Sequence, residues 1–330
     1  MQIQTQRIPT TKGLKASSQL QSALNTPSAQ PVAQAAPQEK IEISSQVAPS
    51  PHQALSQTAL ETAEVVTQTL TSARPEPGSQ LQTTTLPPFN RNTHPSWSSK
   101  LTDIMQHEAP GDHNPYPDLI TKGHETLHGI DNWLMNNGQP PDGGDGKWHL
   151  QSGFYLGDNK AVVIWEPDMS KEKVAEHVPR SLRGSRFDHY ITGATAWNDH
   201  PLYVWEEWNG YIVGTEVGLS QKEEGKWNQG PRIASVGAME FTVYGLATAK
   251  AIKEHDPIRW NNDPQLREFM AHASKRAMSA SISAQNTSEF KHPNFDEYLT
   301  AFRTSPDAAP LRDFARTDLG AEFCQKTYGF

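Results

Sequence analysis

The stretch Leu119-Ile-Thr-Lys-Gly-His124-Glu125-Thr-Leu-His128-Gly-Ile-Asp131-Asn-Trp-Leu-Met135 contains the pattern His-Glu-x-x-His. On a helix, residues four apart lie on one face, about a turn from each other. His124 and His128 therefore present two imidazoles side by side, and such a pair can hold one zinc ion at roughly 2.0–2.1 Å from each nitrogen. Glu125 falls on the neighbouring face, where a carboxylate can take a proton from metal-bound water. The helix itself is expected from the flanks. Asp118, after Pro117, is the expected N-cap. Ile120, Leu127 and Leu134 recur every seven residues as a narrow apolar stripe. Asn136-Asn137-Gly138 and then Pro140-Pro141 end it. Asp131, three residues after His128 on the histidine side, is expected to accept a hydrogen bond from a ligand histidine and fix its tautomer. Gly123 and Gly129 flank the motif and leave room for other backbone to approach.

Three fixed positions in five recur by chance, so a third ligand has to come from elsewhere. The stretch from Trp197 to Gly218 suits a helix, with Asn198 or Asp199 as cap and Pro201 in its first turn. Tyr203, Glu207, Gly210, Tyr211 and Gly214 share one face of it. Glu207, flanked by small residues, is the first choice for the third ligand. Glu206, about 100° away on the wheel, is an alternative. A further helix over 233–253 is apolar nearly all round and should be buried. Glu240 lies in its middle, and a buried carboxylate must be paired or ligating. Glu240 is thus a rival third ligand or a partner of a histidine. Two histidines, one glutamate and a water are a known catalytic zinc set.

Composition narrows the classes. The 330 residues carry a formal charge of −8 without a basic cluster, which argues against a nucleic-acid partner. No run of about 18 apolar residues is present, so no membrane span is expected. One cysteine, Cys324, excludes an internal disulfide and any multi-cysteine metal site. Residues 1–88 contain no Phe, Tyr or Trp, whereas all nine tryptophans lie at or after Trp97. The Ser/Thr/Gln/Pro-rich segment 1–90 cannot bury enough apolar surface to offset chain entropy and is expected to be disordered. A weak amphipathic helix at 53–71 is its one exception. Residues 91–330 form the folded domain. No apolar h-region of a signal peptide precedes it.

Within that domain a short helix is expected at 98–107, and His107 and His113 either line the entrance to the histidine helix or, as expected, lie at the surface. Asp142-Gly-Gly-Asp-Gly146 has the composition of a calcium loop but lacks the spacing and closing Glu of an EF-hand. Residues 148–156 and 161–165 around Gly157–Lys160 form a β-hairpin. It either offers an edge to an extended substrate or covers the core. A short helix at 170–178 precedes a basic loop, Arg180 to Arg186, which either binds an acidic substrate side chain or is solvated, the second being the expectation. Helices at 264–283, 294–303 and 308–317 complete the chain, with Phe269, Met270 and Met278 facing inward. The expected fold class is α+β, mostly helical, with a small hairpin or sheet.

His124-Glu-Thr-Leu-His-Gly-Ile-Asp131 is similar to the His-Glu-x-x-His-x-x-Asp signature of the anthrax-lethal-factor-like zinc peptidases, and Glu207-Trp-Asn-Gly210 resembles that family's third-ligand element. The resemblance implies a zincin-like catalytic domain holding one zinc ion with His124, His128 and Glu207. It implies Glu125 as general base and a protein or peptide substrate. The family places an oxyanion-stabilising tyrosine just upstream of the third ligand. Here Tyr203 stands four residues upstream and His200 seven, and both stay open as the donor. His128 and Glu207 are 207 − 128 = 79 positions apart, wider than in typical members. The N-terminal composition resembles a bacterial type III secreted effector. That implies delivery into a host cell without a cleaved signal peptide, and a secretion chaperone on the N-terminal segment. The alternatives are a plain cytoplasmic protein, a non-catalytic interaction protein on the same scaffold, and a zinc hydrolase of a non-peptide substrate.

Overall fold

Two helices that are buried on almost every side organise the molecule, and for the second of them burial follows from a composition apolar nearly all round. α3, Tyr203–Glu223, buries nearly every residue of its first four turns, and α4, Ser235–His255, buries all but its last turn. They pack on each other and on α6, Pro264–Gln285. Trp205 and Phe269 stack between α3 and α6 at 5.3 Å. Trp205 also donates to the carbonyl of Gly245 at 3.0 Å. That close approach of α3 to α4 requires Gly245, because a Cβ there would lie 2.4 Å from the Trp208 ring.

The computed structural model describes residues 75–140 and 150–330, and within them Pro77–Phe330 belong to one compact unit. The helix expected at 53–71, the disorder expected for residues 1–74 and the acidic loop at 142–146 lie outside the described residues. α2, Leu119–Asn137, is the helix carrying the histidine pair, and its N-cap is Asp118, which accepts from the Thr121 amide at 2.7 Å. α2 packs against α3 on one side and the sheet on the other. α1, Ser99–Gln106, starts at the Ser98 cap and lies against both helices.

The hairpin is formed by β2, Gln151–Gly157, and β3, Lys160–Trp165. Asp158 and Asn159 turn it with φ of 52° and 61°, the left-handed pair that suits a two-residue hairpin loop. A third strand, β1, Thr84–Thr85, pairs antiparallel with β3, giving the order β1-β3-β2. This strand lies within the segment 1–90. Strand pairing and the buried Leu86 order residues 84–86 without any aromatic side chain. His107 is corrected, being 1% exposed rather than at the surface. Its ring bonds the Asp103 carbonyl at 2.7 Å and Asn159 at 2.9 Å, which ties the hairpin turn to α1. His113 is exposed as expected.

The segment between β3 and α3 is a chain of tight turns: 3₁₀ at Lys171–Glu176, Arg180–Leu182 and Thr195–Trp197, with a π-turn at Phe187–Thr192. Lys171 is fully buried and its ammonium donates to the carbonyls of Tyr190, Ile191 and Gly193, closing the end of the π-turn. Neither Asn198 nor Asp199 caps α3. The Leu202 amide at its start is instead bonded by Glu166 Oε2 at 3.1 Å, a distant carboxylate at the positive end of the helix. α5, Pro257–Asn262, α7, Phe295–Thr304, α8, Ala309–Leu319, and α9, Ala321–Thr327, close the core, with Phe269, Met270 and Met278 buried as expected. Cys324 is buried and free. Among the described residues no helix is long and apolar enough to cross a membrane.

Candidate metal centre

α2 and α3 approach closely because small residues recur every fourth position on α3. A Cβ on Gly210 would meet the His124 ring at 2.9–3.2 Å, on Gly214 the Ile120 carbonyl at 3.1 Å, and on Gly218 the Ile120 side chain at 2.9 Å. This groove seats Ile120 and His124 of α2. Gly123 and Gly129, expected to admit backbone, instead face the side chains of Val217 and Asp112.

The result brings His124, His128 and Glu207 together. The two Nε2 atoms are 2.9 Å apart, and Glu207 Oε2 is 3.5 Å from each. Three atoms bound to one ion at roughly 2.0–2.2 Å have mutual separations of this order. Glu207 Oε2 is buried and finds no hydrogen-bond partner. A buried carboxylate oxygen left without a donor needs an explanation. Two imidazoles and a carboxylate are a donor set that zinc takes, so these residues fit the expected ion. Burial disfavours charge on His128. The Glu207 carboxylate outweighs it and, with smaller help from Glu125 and Asp131, raises the imidazole pKa to about 10. Burial would raise Glu207, yet the two histidines hold its carboxyl well below the usual range. The pocket therefore favours positive charge, whether protons or a cation.

Glu125 is half-buried and lines a cleft next to His124. Tyr203 stacks flat on Trp197 at 5.0 Å, and burial, then the neighbouring Glu207 carboxylate, keep its phenol protonated. Tyr211, one turn past Glu207, stands edge-on to the His124 ring at 4.8 Å, and its hydroxyl is 3.1 Å from that of Tyr190. Tyr190 comes from the π-turn that Lys171 closes. Its position depends on three backbone carbonyls gathering on one lysine, and no local pattern in the sequence signals it.

Several expected site residues are placed elsewhere. His200 lies against Glu166, at 3.9 Å, and edge-on to Trp197, not in the three-residue cluster. Asp131 is fully buried, but it accepts from the Tyr155 amide at 2.7 Å and from Asn209 at 3.4 Å; neither histidine is among its hydrogen-bond partners. Its position on α2 points it at β2, so it joins the helix to the sheet. Asn209 donates further to the Tyr155 carbonyl. Both backbone polar groups of Tyr155 are thus spent within the fold, and at that point β2 covers the core instead of offering an edge.

Glu206 points to the sheet. Ser152 Oγ lies 2.7 Å from Glu206 and 2.6 Å from Glu166. One hydroxyl has one proton, so one of the two carboxyls must be protonated to satisfy the other contact. Burial is the main cause that lifts Glu166 to about 8 and Glu206 to about 7. Glu240 is buried and paired with Arg186 at 3.2 Å, outside the cluster. Arg186, expected in a solvated loop, is 5% exposed and stacks over the Tyr211 ring at 4.9 Å. The need of a buried Glu240 for a counter-charge was the sequence signal for it.

A second group with metal-ligand chemistry, His177, Glu254 and His255, lies at the C-terminal end of α4. Its two α4 residues are exposed, and Glu254 is also paired with Lys250, which competes for the same oxygens. Compared with known proteins, the chain matches no protein family, no curated protein and no solved structure.

Proposed function

We propose that this chain is a zinc-dependent metallopeptidase with a zincin-like catalytic domain, hydrolysing a peptide bond of a protein or peptide substrate. The observation that carries it is the convergence of His124, His128 and the partnerless Glu207 Oε2 beside a cleft that Glu125 lines. Zinc held there would supply Lewis-acid polarisation and lower the pKa of its water. Glu125 takes the attacking water's proton and passes it to the leaving amine. Tyr203, kept protonated beside Glu207, is the better placed of the two sequence candidates to donate to the oxyanion, because His200 is engaged with Glu166 and Trp197. Gly210 and Tyr211 hold the His124 ring in place from two sides.

Glu125→Gln separates binding from chemistry. The variant is expected to keep wild-type zinc content and to lose roughly 10²–10⁴-fold in peptide hydrolysis. A Glu125→Gln enzyme that cleaves at the wild-type rate rules out the assigned base.

A further inference from the structure

A narrow cleft lies beside His124 and Glu125. Its walls are mostly apolar, from Ile120, Ile233 and Ala234 with Gly214 and Gly237, and Tyr211, two threonines and two cations, Arg186 and Arg232, add polar groups. Arg186 is 5% exposed. Its Nη1 reaches Glu240, but its Nε finds no acceptor. A guanidinium has five N–H donors in a fixed fork, and a buried one without an acceptor costs free energy. Arg232 is anchored by Asp118 at 3.2 Å and by Thr121 Oγ1 at 3.1 Å. The acid partners of both arginines, Glu240 and Asp118, are absent from the lining, where Glu125 is the one carboxylate. The cleft thus presents two guanidinium groups, each paired with a carboxylate outside the lining, and one of them keeps a buried N–H unspent.

We infer that this cleft takes a carboxylate of the substrate next to the bond that is cut, supplied by an Asp or Glu side chain or by the chain terminus, an inference that rests on the peptidase function proposed above. A carboxylate matches the unspent Arg186 donor with a charge-assisted bond, while the aliphatic walls accept the methylene stem. A neutral amide makes a weaker bond with that donor, and a lysine meets two like charges.

The test is digestion of a proteome-derived peptide library by the zinc-loaded full chain, followed by paired peptides differing only by Glu or Gln. Cleavage is expected with Asp or Glu enriched at one fixed position beside the cut. Replacing that Glu by Gln should lower kcat/KM roughly tenfold or more. Arg186→Gln should remove the discrimination, with Arg186→Lys keeping part of it. Arg232→Gln, at a less buried position, serves the same purpose if the Arg186 variants do not fold. Amidated peptides separate the sources: activity lost on amidation assigns the carboxylate to the chain terminus, activity retained to the side chain. Cleavage indifferent both to Asp and Glu and to amidation overturns the cleft assignment and leaves the peptidase standing. If no peptide is cut, alanine-rich peptides bearing one Glu or one Gln are titrated onto the Glu125→Gln chain by fluorescence anisotropy. Glu-dependent binding that needs Arg186 keeps the cleft assignment and ends the peptidase one. Charge-indifferent binding, or none, overturns the cleft assignment as well.

Discussion

Gly210→Ala places one methyl group under the His124 imidazole. The new Cβ would stand 2.9 Å from Cε1, 3.1 Å from Nε2 and 3.2 Å from Nδ1 of that ring. Carbon contacts settle near 3.5–4.0 Å, so the ring must move by roughly 0.7 Å or the helices must part by as much. Movement is restricted, since Tyr211 stands edge-on at 4.8 Å on the same ring. A metal site tolerates about 0.2 Å of ligand displacement, so the shift exceeds the tolerance several-fold. Disturbing the support of a ligand typically costs 10–100-fold in metal affinity, and that is the loss expected here. The metal-free fold responds differently. Alanine gains about 1 kcal/mol over glycine inside a helix, against about 1–3 kcal/mol for overpacking, so the two nearly offset each other. Competition titration with a zinc-sensitive dye measures the affinity, and thermal melting of the stripped protein measures the fold. Gly214→Ala, whose nearest histidine atom would be His124 Cβ at 3.5 Å, is the control expected to bind more nearly as wild type does. Wild-type zinc affinity in Gly210→Ala, with the fold intact, refutes the close packing of His124 on α3 as a support of the site.

Arg186→Ala leaves Glu240 buried without its counter-charge and should cost about 3–5 kcal/mol in chemical denaturation. The double change Arg186→Met with Glu240→Leu should recover most of that loss, and a double variant as unstable as the single one argues against the pair as its cause. Glu166→Gln addresses the carboxyl pair on Ser152. The folded-state pKa of Glu166, about 8, lies above its ordinary 4.5, so the folded state holds more protons and stability falls as pH rises from about 4.5 to 8. Melting temperatures across that window should decline less steeply in Glu166→Gln than in the wild type; parallel curves would contradict the assignment.

The histidine helix was legible because its signals are local: a cap at Asp118, a seven-residue apolar stripe and the four-residue histidine spacing all act within α2. Glu207 was legible because small residues, Gly210 and Gly214, share its face of the helix and mark a close approach. The fate of the other carboxylates was not, since it depends on partners far along the chain. Glu240 meets Arg186 54 residues away, and Asp131 meets Asn209 78 residues away. Asp131 shows the limit of wheel geometry, which places a side chain on a face but does not say which neighbour claims it first. The strand at Thr84–Thr85 was missed because its order comes from the edge of β3 and not from its own composition. Tyr190 was missed because a buried lysine, usually a surface residue, builds its turn.

Metal analysis of the purified full-length chain tests the central claim most directly. About one zinc per chain is expected, falling towards zero in His128→Ala and Glu207→Gln and unchanged in His177→Ala, which removes the second, exposed cluster. No bound zinc in the wild type, or zinc that persists in His128→Ala and disappears in His177→Ala, would contradict the assignment of His124, His128 and Glu207 as the metal centre.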